Sequence, residues 1–223
     1  INKWEPIDQE GNYKKQIELW KKEYEKKGFF LNKKKIPILI QNIAIITAKD
    51  GAALQDILHA LKTKNWKGSI TIIHSSVQGN SAPVELCEAL NKACHLDIDT
   101  CIISRGGGST LDLMAFSVPS VIENIYRLRQ HCFVISAIGH KVDSPLSDLV
   151  ADKNSPTPSY AGDLLVENSS NFNVMLEDKR SNLYQKIQQK KAYLTQMEKK
   201  FSIVQQINQI RTSLIHKVNS KKQ

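Results

Sequence analysis

Across its last 61 residues the chain has neither a glycine nor a proline. All ten glycines and all seven prolines lie at or before Gly162, which excludes a globule of uniform texture. A region rich in turns is expected first and an unbroken helical one after it. No run approaches the roughly eighteen apolar residues of a membrane span. There is also no basic block followed by an apolar block of the secretory kind, so no membrane association is expected. Cysteine is scarce: Cys87, Cys94, Cys101 and Cys132 show no CxxC spacing and sit in apolar surroundings. They read as small buried hydrophobes of a reducing, cytoplasmic setting rather than as disulfides or metal ligands. His59, His74, His95, His131 and His216 lack HxxxH and HExxH spacing, which removes the common zinc motifs. The chain begins at Ile1 and reads as part of a longer one.

What is present is unevenly distributed charge. The 223 residues carry 31 Lys+Arg against 22 Asp+Glu, a net charge of +9. Residues 1–38 hold 10 basic and 6 acidic side chains, 39–159 hold 10 and 11, and 160–223 hold 11 and 5. Two basic arms therefore flank a central block that is close to neutral. Such arms suit a polyanion, and equally a face kept soluble by lysine.

The central block alternates in texture. Ile43–Thr47, Ile70–His74, Thr100–Ser104 and Cys132–Ile138 are nearly continuous apolar runs, as expected of strands buried on both faces of a parallel sheet. Ala52–Lys62, Ala82–His95 and Leu111–Arg129 between them carry helical spacing. The order predicts an open, doubly wound α/β domain whose ligands sit beyond the carboxyl ends of the strands. A charged lead-in helix is expected over Tyr13–Lys27, ending at Gly28. After Gly162, Leu183, Ile187, Leu194, Met197, Phe201 and Val204 follow a heptad-like seam, which shifts phase at Ile207, Ile210, Leu214 and Val218. Fully helical, this segment would reach about 90 Å and need partner helices; the alternative is a hairpin within one chain. The expected division is 1–38 linker and lead-in helix, 39–162 α/β domain, and 163–223 extended coiled-coil-like helix.

Three clusters carry chemistry. Arg105-Gly106-Gly107-Gly108-Ser109 follows the third strand, where glycines let backbone amides converge on an anion and Arg105 supplies a fork of donors. It is neither a Walker loop nor GxGxxG, and Ser109 is not in GxSxG; the alternative is a tight turn without a ligand. Gly139-His140-Lys141-Val142-Asp143 follows the fourth strand and places a carboxylate near a histidine. That is either an acid–base pair or a surface histidine capping the next helix. Asp56 follows the Ala48-Lys49-Asp50-Gly51 loop and either faces the carboxyl edge or is a first-turn helix carboxylate. Asp148 and Asp152, four apart, either hold a metal or face solvent. In Pro156-Thr157-Pro158-Ser159, Thr157 or Ser159 is placed to cap the long helix, with a binding role open.

These residues together resemble the large subunit of bacterial exodeoxyribonuclease VII. The likeness rests on Thr47 to Leu58, Val77-Gln78-Gly79, Arg105 to Ser109 with Asp112-Leu113 and Phe116, Gly139-His140 with Asp143, and Ala151-Asp152 before Pro156 to Ser159. It covers roughly residues 13–170, in the family's order and at similar spacing; the helical tail is similar in texture only. The resemblance implies a nuclease that degrades single-stranded DNA from both ends to oligonucleotides. It also implies several copies of a small helical subunit on the long helical segment, no required divalent metal, and an N-terminal OB-fold domain of which Ile1–Glu10 would be a stub. The family's essential residues fall on Asp56, Arg105, His140 and Asp143. Gly106, Gly107, Gly108, Ser109, Lys49 and Thr157 are the expected phosphate-binding set.

The chain departs from the family's pattern at Ala48 and Asp50, where hydroxyls are usual, at Lys141 and Val142, where Glu and Thr are usual, and at Ser117-Val118-Pro119. All four implied catalytic residues are present, so activity is expected. His140 is implied as general acid or base, or as a nucleophile toward phosphorus. Two other classes fit the residues alone: a non-catalytic scaffold for single-stranded DNA, and an enzyme for a small phosphorylated or nucleotide substrate.

Overall fold

The computed structural model describes residues 9–106, 110–138 and 144–220. The chain divides into two compact units, 1–172 and 173–223.

In the first unit, β1 (Asn42–Thr47), β2 (Ser69–His74), β3 (Thr100–Ser104), β4 (Phe133–Ala137) and β5 (Lys153–Asn154) form one sheet in the order β2-β1-β3-β4-β5. All four pairings are parallel. The helices are α1 (Gln9–Lys26), α2 (Ala52–Thr63), α3 (Ala82–Ala93), α4 (Pro119–His131), α5 (Leu146–Val150) and α6 (Pro158–Ser220). The α/β expectation is met: an open parallel sheet flanked by helices, followed by a long C-terminal helix.

Strand alternation explains why the apolar runs are continuous. Ala44, Ile46, Cys101, Ile103 and Val134 join one buried cluster with Leu86 and Leu90 of α3 and Ile122 and Ile125 of α4. Ile43, Ile45, Ile102 and Ile135 join the other with Leu54, Ile57 and Leu61 of α2 and Ala161 and Leu165 of α6. Gly162 is where α6 meets α2, since a Cβ there would lie 2.9 Å from the Ala60 Cβ. Gly28 ends the turn after α1 at φ +74°, a left-handed conformation that glycine adopts without cost.

Four details differ from the sequence reading. The segment expected as one helix over Leu111–Arg129 is a short 3-10 helix, Thr110–Phe116, then α4. Val118, extended at φ −70° and ψ 145°, precedes Pro119, whose ring disfavours a helical residue before it. The second strand is not buried on both faces. It is the sheet's edge, and Ile70 and Ile72 are exposed on the α2 side while Ile73 is buried. β5 has no apolar signature at all; two residues are held there by pairing with Ile135 and Ser136. The hairpin alternative for the tail is overturned, because α6 runs unbroken for 63 residues. In the second unit its Leu183, Ile187, Leu194, Met197, Phe201 and Val204 are all exposed.

Residues 29–35, which follow α1, are tied to the sheet by a buried ion pair. Arg129 Nε donates to Asp152 Oδ1 at 3.0 Å, with side-chain exposures of 4 % and 0 %. The rest of the guanidinium serves the carbonyls of Phe29, Leu31 and Asn32. The Lys34 and Val134 amides complete the carboxylate. Tyr24, 1 % exposed, anchors α1 by donating to Glu123 Oε1 at 3.0 Å. Arg129→Met would leave the Asp152 charge buried with only amide donors, so a loss of about 3–5 kcal/mol is expected. Urea unfolding of the chain checks this, and a loss below about 1 kcal/mol would remove the pair from its central place.

Candidate functional site

The sheet order reverses between β1 and β3, since the chain proceeds to β2 on one side and to β4 on the other. A crevice beyond the carboxyl ends of these two strands is the usual ligand position in such sheets. β1 delivers the loop of Ala48, Lys49, Asp50 and Gly51, in which Lys49 and Asp50 are exposed. β3 delivers Arg105, 4 % exposed, whose amide donates to Ala137 O and so extends the β3–β4 ladder by one residue. Gly106 follows it.

The two loops meet. A Cβ built on Gly106 would stand 3.8 Å from the nitrogen of Ala53, in the first turn of α2. That helix starts at Gly51, which has no side chain to cap it, and has no acidic residue in its first turn. Its amides and positive dipole end therefore lie against Gly106 with no protein carboxylate in that turn, an arrangement suited to an anion.

Asp56 is exposed, one turn along α2 from Ala53. It is the fifth residue of the helix and so not a first-turn carboxylate. Thr157 is also exposed. Its Oγ1 accepts from the Tyr160 amide at 3.2 Å, capping α6, which opens after β5 at the same edge of the sheet. Gly107, Gly108, Ser109, His140 and Asp143 lie outside the described residues. The structure thus brings Lys49, Gly106 and the start of α2 to one edge with Arg105, and Asp56 close by on the same helix.

For Asp148 and Asp152 the alternatives are holding a metal or facing solvent; facing solvent is overturned, because both are buried. Asp152 is occupied by Arg129. Asp148 Oδ1 accepts from Ser136 Oγ at 2.5 Å, which ties α5 to β4. Among the described residues no three His, Cys, Asp or Glu converge. Ser117 Oγ accepts from the Leu146 amide at 3.1 Å, so the turn before α4 holds the first residue of α5. The four thiols are free, and burial pushes Cys132 up to about 12, so it stays protonated. Sequence reasoning missed Arg129, Ser136 and Ser117 as structural polar residues. The signal available was a polar side chain interrupting an apolar run.

Burial pushes the Asp148 carboxyl from 3.8 up to about 6, against the opposing pull of Ser136 and Lys33. The folded chain therefore holds this proton more tightly than the unfolded one. The stabilisation is complete below about pH 4 and is lost as pH rises toward 6. Relative to Asp148→Asn, the wild-type unfolding free energy should fall by up to about 3 kcal/mol between pH 4 and pH 7. Urea titrations of both chains across that range check it.

An open parallel sheet with helices on both faces, and with Gly106 against an uncapped helix start at its switch point, defines a doubly wound α/β domain. Residues 31–223 match the family described as exonuclease VII, large subunit, and the chain belongs to that family. It is 41 % identical over 184 residues to the exodeoxyribonuclease 7 large subunit of Syntrophomonas wolfei, covering 81 % of this chain and 45 % of that protein. The Thermotoga maritima large subunit is 38 % identical over 172 residues, 77 % of this chain and 43 % of that one. The Campylobacter jejuni protein is 41 % identical over 158 residues, 70 % and 40 % respectively. The chain spans less than half the length of these relatives.

Proposed function

We propose that this chain carries the catalytic domain of an exonuclease that hydrolyses phosphodiester bonds in single-stranded DNA from both ends to oligonucleotides. The observation that carries the reading is the approach of Gly106 to the uncapped start of α2 at the switch point, with Arg105 at the adjoining strand end. Membership of the exonuclease VII large-subunit family supports nuclease chemistry, and the relatives' name, exodeoxyribonuclease, supports DNA as the substrate.

In this reading the scissile phosphate lies at that edge, held by the amides of the glycine turn and by Arg105, whose charge offsets the charge that grows in the transition state. Lys49 approaches from the other side of the crevice. His140 works as general acid–base: water gains a bond to phosphorus as it loses a proton, and the leaving oxygen gains a proton as its bond to phosphorus breaks. Asp143 orients His140 and stabilises its cationic form. Asp56, on the helix whose start faces the phosphate, fixes Arg105 or the attacking water. Asp152 is committed to Arg129, so it is not available to complete a metal-binding trio with Asp56 and Asp143.

The exposed stripe of α6 supports docking of several copies of a small helical subunit. The basic arms support contact with the DNA backbone outside the site.

End-labelled single-stranded DNA incubated with the full-length large subunit and its small subunit tests the reading. Arg105→Ala and His140→Ala should each lower kcat/KM by about 100- to 10,000-fold. Cleavage should persist in excess chelator. Unchanged cleavage in both variants would sink the site assignment, and complete loss in chelator would point to metal-assisted chemistry. Gly106→Ala is a finer probe. The added methyl meets only an ordinary contact at Ala53, so the fold should hold while the methyl stands over the anion position. Cleavage should drop about tenfold or more at unchanged thermal midpoint.

A further inference from the structure

A buried hydroxyl without a hydrogen-bond partner is uncommon in folded proteins and costly to retain. Thr47 Oγ1, Ser104 Oγ and Thr100 Oγ1 are three such groups, and their residues are 1 %, 0 % and 0 % exposed. None finds a hydrogen-bond partner among the described residues.

Their positions differ. β1 and β3 pair in parallel through Ile46 with Ile103, so Thr47 and Ser104 are the next residues in the same register. Both end their strands at the carboxyl edge. By alternation they lie on the face of Ile43, Ile45 and Ile102, the face that α2 covers. Two orphan donors thus stand side by side at the carboxyl ends of their strands, on the face that α2 covers and at the edge where α2 begins. The first turn of that helix has no side-chain cap, and Gly106 crosses it. Thr100 shares the same face of β3 but starts that strand, about 13 Å away.

We propose that Thr47 and Ser104 form the floor of the phosphate site and donate their hydroxyl hydrogens to a non-bridging oxygen of the bound phosphodiester. This inference rests on the nuclease reading for the identity of the ligand. The chemistry selects an anion with several lone pairs on one atom. Both hydroxyls can turn their hydrogens toward one acceptor, the helix-start amides can only donate, and a phosphate oxygen accepts from all of them. The protein covers both hydroxyls; a phosphate oxygen held where Gly106 meets the first turn of α2 supplies the acceptor that each lacks. No covalent step is involved. The role is positioning and electrostatic stabilisation of the phosphate.

The test uses the full-length large subunit with its small subunit, and the variants Thr47→Val, Ser104→Ala and Thr100→Val. Two readouts are taken: the thermal midpoint without DNA, and cleavage of end-labelled single-stranded DNA. Removing an unpartnered buried hydroxyl should leave the midpoint unchanged or raised in all three. Thr47→Val and Ser104→Ala should each lower kcat/KM about tenfold or more, Thr100→Val should cleave as wild type does, and Thr47→Ser should keep most of the activity. Cleavage by Thr47→Val and Ser104→Ala within twofold of wild type overturns the proposal. So does a parallel fall of midpoint and cleavage in all three variants, which would make the hydroxyls structural. A third readout, binding of an oligothymidylate by fluorescence anisotropy, separates this inference from the nuclease reading. If wild type binds without cleaving and the two variants bind at least tenfold more weakly, the reading fails and the floor stands; equal binding by wild type and variants overturns the floor.

Discussion

The carboxylate of Asp152 ties together three separate parts of this domain. It sits in a dry position and accepts from a guanidinium on α4, an amide on β4 and an amide in the segment leading into β1. Arg129 spends its remaining donors on three carbonyls of the turn after α1. A charge buried this deeply is tolerated only because its geometry is complete. In consequence α4, the strand that runs toward residues 139–143, and the polypeptide entering the sheet share one fixed point. The edge where phosphate chemistry is proposed is built on that frame rather than on the strands alone.

The charge distribution takes on a different meaning once the fold is known. The excess of positive charge lies on α1 and its following lysines and on α6, while the α/β block is close to neutral. Within that block Arg105, at the end of β3, is 4 % exposed, and Lys49, in the loop after β1, is exposed. In the proposed reading, long-range attraction to a polyanion arises away from the crevice and local donors discriminate inside it, so that steering and chemistry fall to different parts of the chain.

Much of the fold was legible because two periodicities alternate in the central block. Residues such as Ile45 and Ile103, buried on opposite faces, produce continuous apolar runs that only a two-sided sheet explains. What was not legible has physical reasons. Lys153 and Asn154 become a strand only because β4 offers them a ladder. Ile70 and Ile72 look identical in sequence to buried neighbours, yet the strand order leaves them exposed at an edge. Asp148 and Asp152 have the spacing of surface carboxylates, and only tertiary packing reveals that both are buried against fixed partners. At the site, Arg105, Gly106 and Lys49 could be read from motifs, because glycine turns and strand ends leave local signatures. Thr47 and Ser104 could not, since an orphan hydroxyl is defined by what surrounds it.

The exposed stripe on α6 has a consequence for how much of this chain a cell can carry. Leu183, Ile187, Leu194, Phe201 and Ile210 present apolar surface that this chain by itself leaves uncovered. Patches of that kind drive association with whatever apolar surface is at hand. The solubility of the polypeptide is then a matter of concentration: the more copies carry the stripe uncovered, the more of them are exposed to aggregation and proteolysis.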